Sequence, residues 1–141
     1  GLPGDTIQFK NGEIYLNDKK IPRRKTQKQF FVRCGSAKYK VKSFNETLPN
    51  QEEFIAVYNR TGTILNTVKY KVPNAKYFFL GDNRDCSKDS RFLDSVGYVD
   101  EKNLVGKAEL IFFSNDTIQN SILKFWLWNK SLRLNRIFKK L

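Results

Sequence analysis

Residues 81–91 read Gly-Asp-Asn-Arg-Asp-Cys-Ser-Lys-Asp-Ser-Arg, an almost wholly polar stretch directly after the apolar run Tyr77, Phe78, Phe79 and Leu80. A buried strand therefore delivers a loop rich in carboxylates (Asp82, Asp85, Asp89), guanidinium groups (Arg84, Arg91) and hydroxyls (Ser87, Ser90). Such groups can lock one another through charge-assisted hydrogen bonds, as the supporting shell of a site requires. The same side chains also bond neighbouring backbone N–H groups, so a self-satisfied turn is the plain alternative. The 141-residue chain contains no His. That removes the commonest general base near neutral pH, and with it Ser-His-Asp, Cys-His and most zinc catalysis. Acid–base work would fall to Lys, carboxylates or Tyr.

Two other templates fail on this chain. A calcium loop counted from Asp82 puts Arg84 at its third position and Ser87 at the sixth, where an oxygen ligand and a Gly belong. A phosphate loop at Val105, Gly106, Lys107 and Ala108 has no hydroxyl for magnesium, and Glu101 stands where its first Gly should be. Asn-x-Ser/Thr triplets at Asn45, Asn59, Asn115 and Asn129 arise easily by chance in an Asn-rich chain.

The elements that must carry the loop read as strands. Apolar and polar residues alternate on both sides of Asn11-Gly12, a pair suited to positive φ, which predicts a β-hairpin over residues 7–16. Asn17-Asp18 turns the chain again toward Ile21. Short β-like runs follow at 30–33, 37–44, 54–58, 63–72, 76–80 and 107–113, divided by Gly, Pro and Asn. The pattern predicts a mostly β domain of antiparallel sheets over 1–116, with 25–72 as a hairpin-rich insertion that carries no catalytic-looking residue. Residues 117–141 differ, because Pro and Gly vanish. Ile118, Ile122, Phe125, Trp126 and Leu132 fall near one helical face, and Leu127, Leu134, Ile137, Phe138 and Leu141 form a displaced stripe. This predicts a basic amphipathic C-terminal helix, lying on a membrane or packed against the β body.

Charge follows the same division. The formal net charge is +12; residues 19–42 hold ten basic and no acidic residues, 117–141 hold six and none, and the rest, with ten basic and fourteen acidic, is at −4. Two basic segments on a mildly acidic body suit a polyanionic surface, while solvated faces are the bland reading. An apolar content of 40% is enough for a core, and no apolar run reaches the 18 residues of a membrane span. Cys34 and Cys86 lack CxxC spacing and read as unpaired thiols, since sequence alone cannot bring them within bonding distance. There is no Met, so Gly1 does not read as a natural start and the chain reads as a fragment.

Three blocks, Gly1-Leu-Pro-Gly-Asp5, then residues 81–91, then Gly106-Lys-Ala108, resemble the conserved boxes of the bacterial type I signal peptidases. The middle block is long and specific; the outer two are short. The resemblance runs from Gly1 to about Ser114. It implies a partly open β-barrel of that family's type and a membrane-anchored serine endopeptidase with a Ser-Lys dyad, which removes signal peptides from exported preproteins after small residues. A lysine serves as base only when its amine is neutral, which burial beside apolar groups arranges. By the resemblance, Ser87 is the hydroxyl that orients this lysine, Asp89 and Arg91 stiffen the loop, and Gly81 and Asp82 open its turn.

The resemblance also implies that the nucleophilic Ser and the base Lys both precede Gly1, so the chain by itself is expected to be inert. Cys86 stands where the family usually has Asn, which suggests a lost loop contact and a reactive or metal-sensitive thiol. No cofactor is implied. The expected partners are preproteins and, through the C-terminal tail, an anionic membrane; the expected state is a monomer without nucleic acid. The expected location is the bacterial inner membrane, with the catalytic domain on its outer, periplasmic face. From a different class, a nucleic-acid-binding β-barrel would explain the interleaved Phe30, Phe31, Arg33, Lys38, Tyr39, Lys40 and Lys42. It would leave the acidic loop unexplained, since carboxylates repel phosphate. A non-catalytic peptidase paralogue is the nearer alternative.

Overall fold

The computed structural model describes residues 1–27, 30–59, 64–114 and 132–140. The chain forms two compact units, Gly1–Leu104 and Val105–Leu141. In the first, β1 (Thr6–Lys10) and β2 (Glu13–Leu16) make the expected hairpin. Asn11 and Gly12 both take positive φ, 51° and 73°, so this is the type I′ turn whose twist matches the strands. Asn17 and Asp18 repeat the device at φ 52° and 62°, joining β2 to β3 (Lys19–Lys20). The sheet has the order β3-β2-β1-β8, with β8 (Tyr70–Lys71) antiparallel to β1. Ile7 and Phe9 of β1, Ile14 of β2 and Tyr70 of β8, a period-two pattern along β1, pack with Ile21, Val72 and Phe78 into an apolar core.

A second sheet is organised by the long strand β6 (Ala37–Thr47). Its first half pairs with β5 (Phe30–Cys34), and its second half lies between β4 (Arg23–Lys25) and β7 (Glu53–Tyr58). Every pairing here is antiparallel. The mostly β reading holds, and among the described residues the sheets do not close into a barrel. The stretch read as an insertion is woven through both sheets: it supplies β5 to β7 and also β8, with Tyr70 and Val72 in the core of the first sheet. Of the β-like run at 63–72, only Tyr70–Lys71 is strand among the described residues. A small ladder joins β9 (Lys76–Tyr77) to β10 (Val99–Asp100), with the Lys76–Asp100 ion pair at 2.7 Å across it.

The second unit contains β11 (Leu110–Ile111) and β12 (Lys139–Lys140), paired antiparallel. The helix expected over 117–141 lies outside the described residues as far as 131. From 132 to 140 the expectation is corrected: a 3-10 turn at Leu134–Arg136 leads into β12. The reason is local, because the Phe138 N–H donates to the Ile111 carbonyl at 2.7 Å and sheet pairing takes the backbone groups a helix would use. Among the described residues no helix is long and apolar enough to cross a membrane.

Candidate functional site

The polar loop is clipped shut where the sequence turns from apolar to polar. Ser90, fully buried, accepts the Phe79 N–H on its hydroxyl at 2.9 Å and donates its own N–H to the Phe79 carbonyl at 3.1 Å. Entrance and exit of the loop are thereby side by side. One residue earlier, Phe78 donates its N–H to the Gly1 carbonyl at 2.9 Å and accepts from the Gly1 amine at 2.8 Å. The first and second sequence blocks are therefore neighbours in space. The third block, residues 106–108, belongs to the second unit.

Asp89 and Arg91 form the inner clamp. The Arg91 guanidinium holds the Asp89 carboxylate with two hydrogen bonds of 2.8 Å, the bidentate geometry that gives direction as well as attraction. Asp89 then accepts the Gly81 N–H at 2.8 Å, tying the end of the loop to its beginning. Arg91 also donates to the Arg84 carbonyl and lies over the Phe9 ring, 5.4 Å from its centroid. The core of the first sheet thus supports the clamp.

Arg84 forms a second anchor, to a residue 38 positions earlier in the chain. Its guanidinium donates to Glu46 at 2.6 and 3.1 Å, to the Tyr58 hydroxyl at 2.9 Å and to the Gly81 carbonyl at 3.0 Å. Tyr58 in turn donates to Glu46 at 2.6 Å. The two charged side chains are only 3% and 1% exposed, against an apolar cavity of about 240 Å³ lined in part by Ile7, Ile14, Ile21 and Phe54. Burial, with the nearby Glu46 carboxylate adding to it, pushes the Tyr58 hydroxyl up to about 12, so it stays a donor at every physiological pH. Glu46 lies on β6 and Tyr58 ends β7, both within the stretch the sequence left without chemistry. A lone Glu in an alternating strand carries no sign of its partner; only the tertiary pairing shows it.

Between these anchors the backbone of the loop joins β7. Val57 donates to the Asp82 carbonyl at 2.8 Å and accepts from the Arg84 N–H at 3.0 Å, a short parallel bridge. Asp82 keeps its side chain exposed, where it accepts the Asn83 N–H at 2.8 Å and shapes the turn. The Asn83 carbonyl then accepts from the N–H groups of Cys86 and Ser87, at 3.1 and 2.8 Å. Asp85 accepts the Asn59 N–H.

Ser87 is pressed against Gly81. A Cβ on Gly81 would lie 2.0 Å from the Ser87 Oγ and 2.2 Å from its Cβ, so only glycine fits beneath this serine. The Ser87 hydroxyl is half-buried, and its Oγ makes no hydrogen bond to the described residues. Of the five residues singled out in this loop, Gly81, Asp89 and Arg91 are linked by hydrogen bonds, Ser87 is packed against Gly81, and Asp82 shapes the turn at the rim.

The cysteines correct the sequence reading. Cys34, at the end of β5, and Cys86 form a disulfide with a Cα–Cα distance of 5.7 Å, so neither is a free or metal-sensitive thiol. Sequence could not show it, because 52 residues separate the pair and the β5–β6 hairpin closes the gap.

The family model described as signal peptidase, peptidase S26, matches residues 1–113. Curated proteins named signal peptidase I are similar along the whole chain: 43% identical in Rickettsia massiliae, 41% in Rickettsia conorii and 43% in Rickettsia prowazekii. The chain spans about 56–57% of the length of these relatives. No solved structure matches it significantly.

Proposed function

This chain belongs to the peptidase S26 signal peptidases, and from that premise we propose that it is the C-terminal part of a membrane-bound serine endopeptidase of the Ser-Lys type. The substrate class is the signal peptide of exported preproteins. Ser87 is the residue that aims the base, and the observation that carries this reading is its confinement against Gly81 by the Asp89–Arg91 clamp.

In this reading the nucleophilic Ser and the base Lys come from the part of the protein upstream of Gly1, and the chain alone is inert. The pairing of Gly1 with Phe78 supports it, since it sets Gly1 beside the segment that leads from β9 into the loop. A lysine amine arriving there neutral, through burial in apolar surroundings, would take the serine proton as base. Ser87 would fix its direction by one hydrogen bond, and a hydroxyl without another bond to the described residues suits that task. Asp89 and Arg91 act at one remove, by holding Gly81 and hence the wall beneath Ser87.

The test is Ser87→Ala in the intact protein, assayed on a preprotein or signal-peptide substrate. Turnover falls by about 10- to 100-fold with KM little changed, because the substrate loses no contact. Wild-type turnover overturns the role.

The membrane reading rests on the basic tail. Leu134 and Phe138 are exposed among Arg133, Arg136, Lys139 and Lys140, as expected of a surface meeting anionic lipid on the outer face of the inner membrane. Co-sedimentation with anionic vesicles, with and without residues 117–141, checks it; equal binding of the two forms removes the tail's role.

A further inference from the structure

Cys86 immediately precedes Ser87, and its disulfide partner lies on a different element, at the tip of the β5–β6 hairpin. The non-covalent anchors of the loop flank this point. Arg84 holds the chain before it through Glu46 and Tyr58, and the Asp89–Arg91 clamp holds it after. Between them Asp85 accepts the Asn59 N–H, the Asn83 carbonyl closes a turn, and Cys86 is covalently tied to Cys34.

We propose that Cys34 and Cys86 are positioning residues, whose bond fixes the backbone beside Ser87 and so sets how accurately its hydroxyl aims the catalytic base. This rests on the reading of Ser87 given above. A short side chain cannot correct for a displaced backbone, and a misplacement of about 1 Å in a catalytic group costs up to about 100-fold in rate. Ser87 has one atom beyond its Cβ, so its hydroxyl goes where residue 86 puts it. Both cysteines are half-buried, and a small dithiol can reach them. Dithiothreitol would open the bond by supplying two electrons and two protons, giving two thiols and its own cyclic disulfide.

The experiment uses the intact peptidase. The kcat and KM for a signal-peptide substrate are measured before and after dithiothreitol, for the wild type, Cys34→Ser, Ser87→Ala and the double variant, with near-UV circular dichroism of each. Reduction, or Cys34→Ser, is expected to lower kcat about 10-fold with KM within twofold and the dichroism native. The reductant has no further effect on Cys34→Ser. In the Ser87→Ala background the loss disappears, because the bond acts through that hydroxyl.

Unchanged kcat on opening the bond overturns the proposal, as does an equal loss in both backgrounds, which marks a merely structural link. Loss of the native dichroism overturns it too, since the bond would then hold the fold rather than the loop. Full turnover in Ser87→Ala with the disulfide intact removes the premise itself, in an arm separate from the others.

Discussion

Converting Glu46 to Gln keeps the shape of the side chain and removes its charge, which leaves the Arg84 guanidinium buried without a counter-ion. At 3% exposure that cation cannot turn to water, and the apolar cavity beside it offers no substitute. Breaking a buried pair from one side typically costs about 3–5 kcal/mol. Replacing both partners by apolar residues of similar volume, Glu46→Leu with Arg84→Met, removes the stranded charge together with its partner. What remains lost is mainly the bond to the Gly81 carbonyl, about 1 kcal/mol, and the Tyr58 contacts, about as much again. The double variant should therefore be more stable than Glu46→Gln by about 1–3 kcal/mol, a coupling that additive surface charges would not show. Urea unfolding of the three proteins at neutral pH, with equal m-values, measures it. A Glu46→Gln protein within 1 kcal/mol of the wild type would refute the reasoning, because the guanidinium would then have found water or a new partner.

Other outcomes follow from the same geometry. The hydroxyl of Tyr58 is held above its ordinary value, so the stability it contributes is complete below about pH 10, where the unfolded chain is also protonated, and is lost as pH rises toward about 12. The stability difference between wild type and Tyr58→Phe should thus be level up to pH 10 and close above it; a gap that persists to pH 12 contradicts this. Gly81→Ala would place a methyl within 2.2 Å of both side-chain atoms of Ser87, displacing them by about 1 Å and lowering kcat of the intact peptidase up to about 100-fold with KM little moved. Retention of full turnover would show that Ser87 is not held where the structure has it.

Legibility in the sequence followed the range of the interactions. The turns at Asn11-Gly12 and Asn17-Asp18 were readable because adjacent residues decide them, and the runs at 30–33, 37–44 and 54–58, which lie within β5, β6 and β7, because Gly, Pro and Asn bound them locally. The Asp89–Arg91 clamp was suggested by the loop's mixture of carboxylates and guanidinium groups and by the family resemblance, which assigns these two residues to stiffening it. Glu46, Tyr58 and the Cys34–Cys86 bond were not, since each depends on chain brought together across dozens of residues. The pairing of β8 with β1 was missed for the same reason, and β12 because helical periodicity over 132–140 yielded to an available strand edge. The family was recognisable from residues 81–91 because that block is long and contiguous, so its pattern is complete in the sequence without any tertiary partner.

The bridge from Val57 to Asp82 and Arg84 has a second use. Val57 lies on β7, which has β6 on one side, and its outward N–H and C=O are both taken by the loop. The loop thereby works as a cover on a sheet edge, satisfying groups that would otherwise template pairing with a strand from another molecule. A substitution that loosens residues 81–91 would expose that edge, so such variants should tend to self-associate at concentrations where the parent stays dispersed.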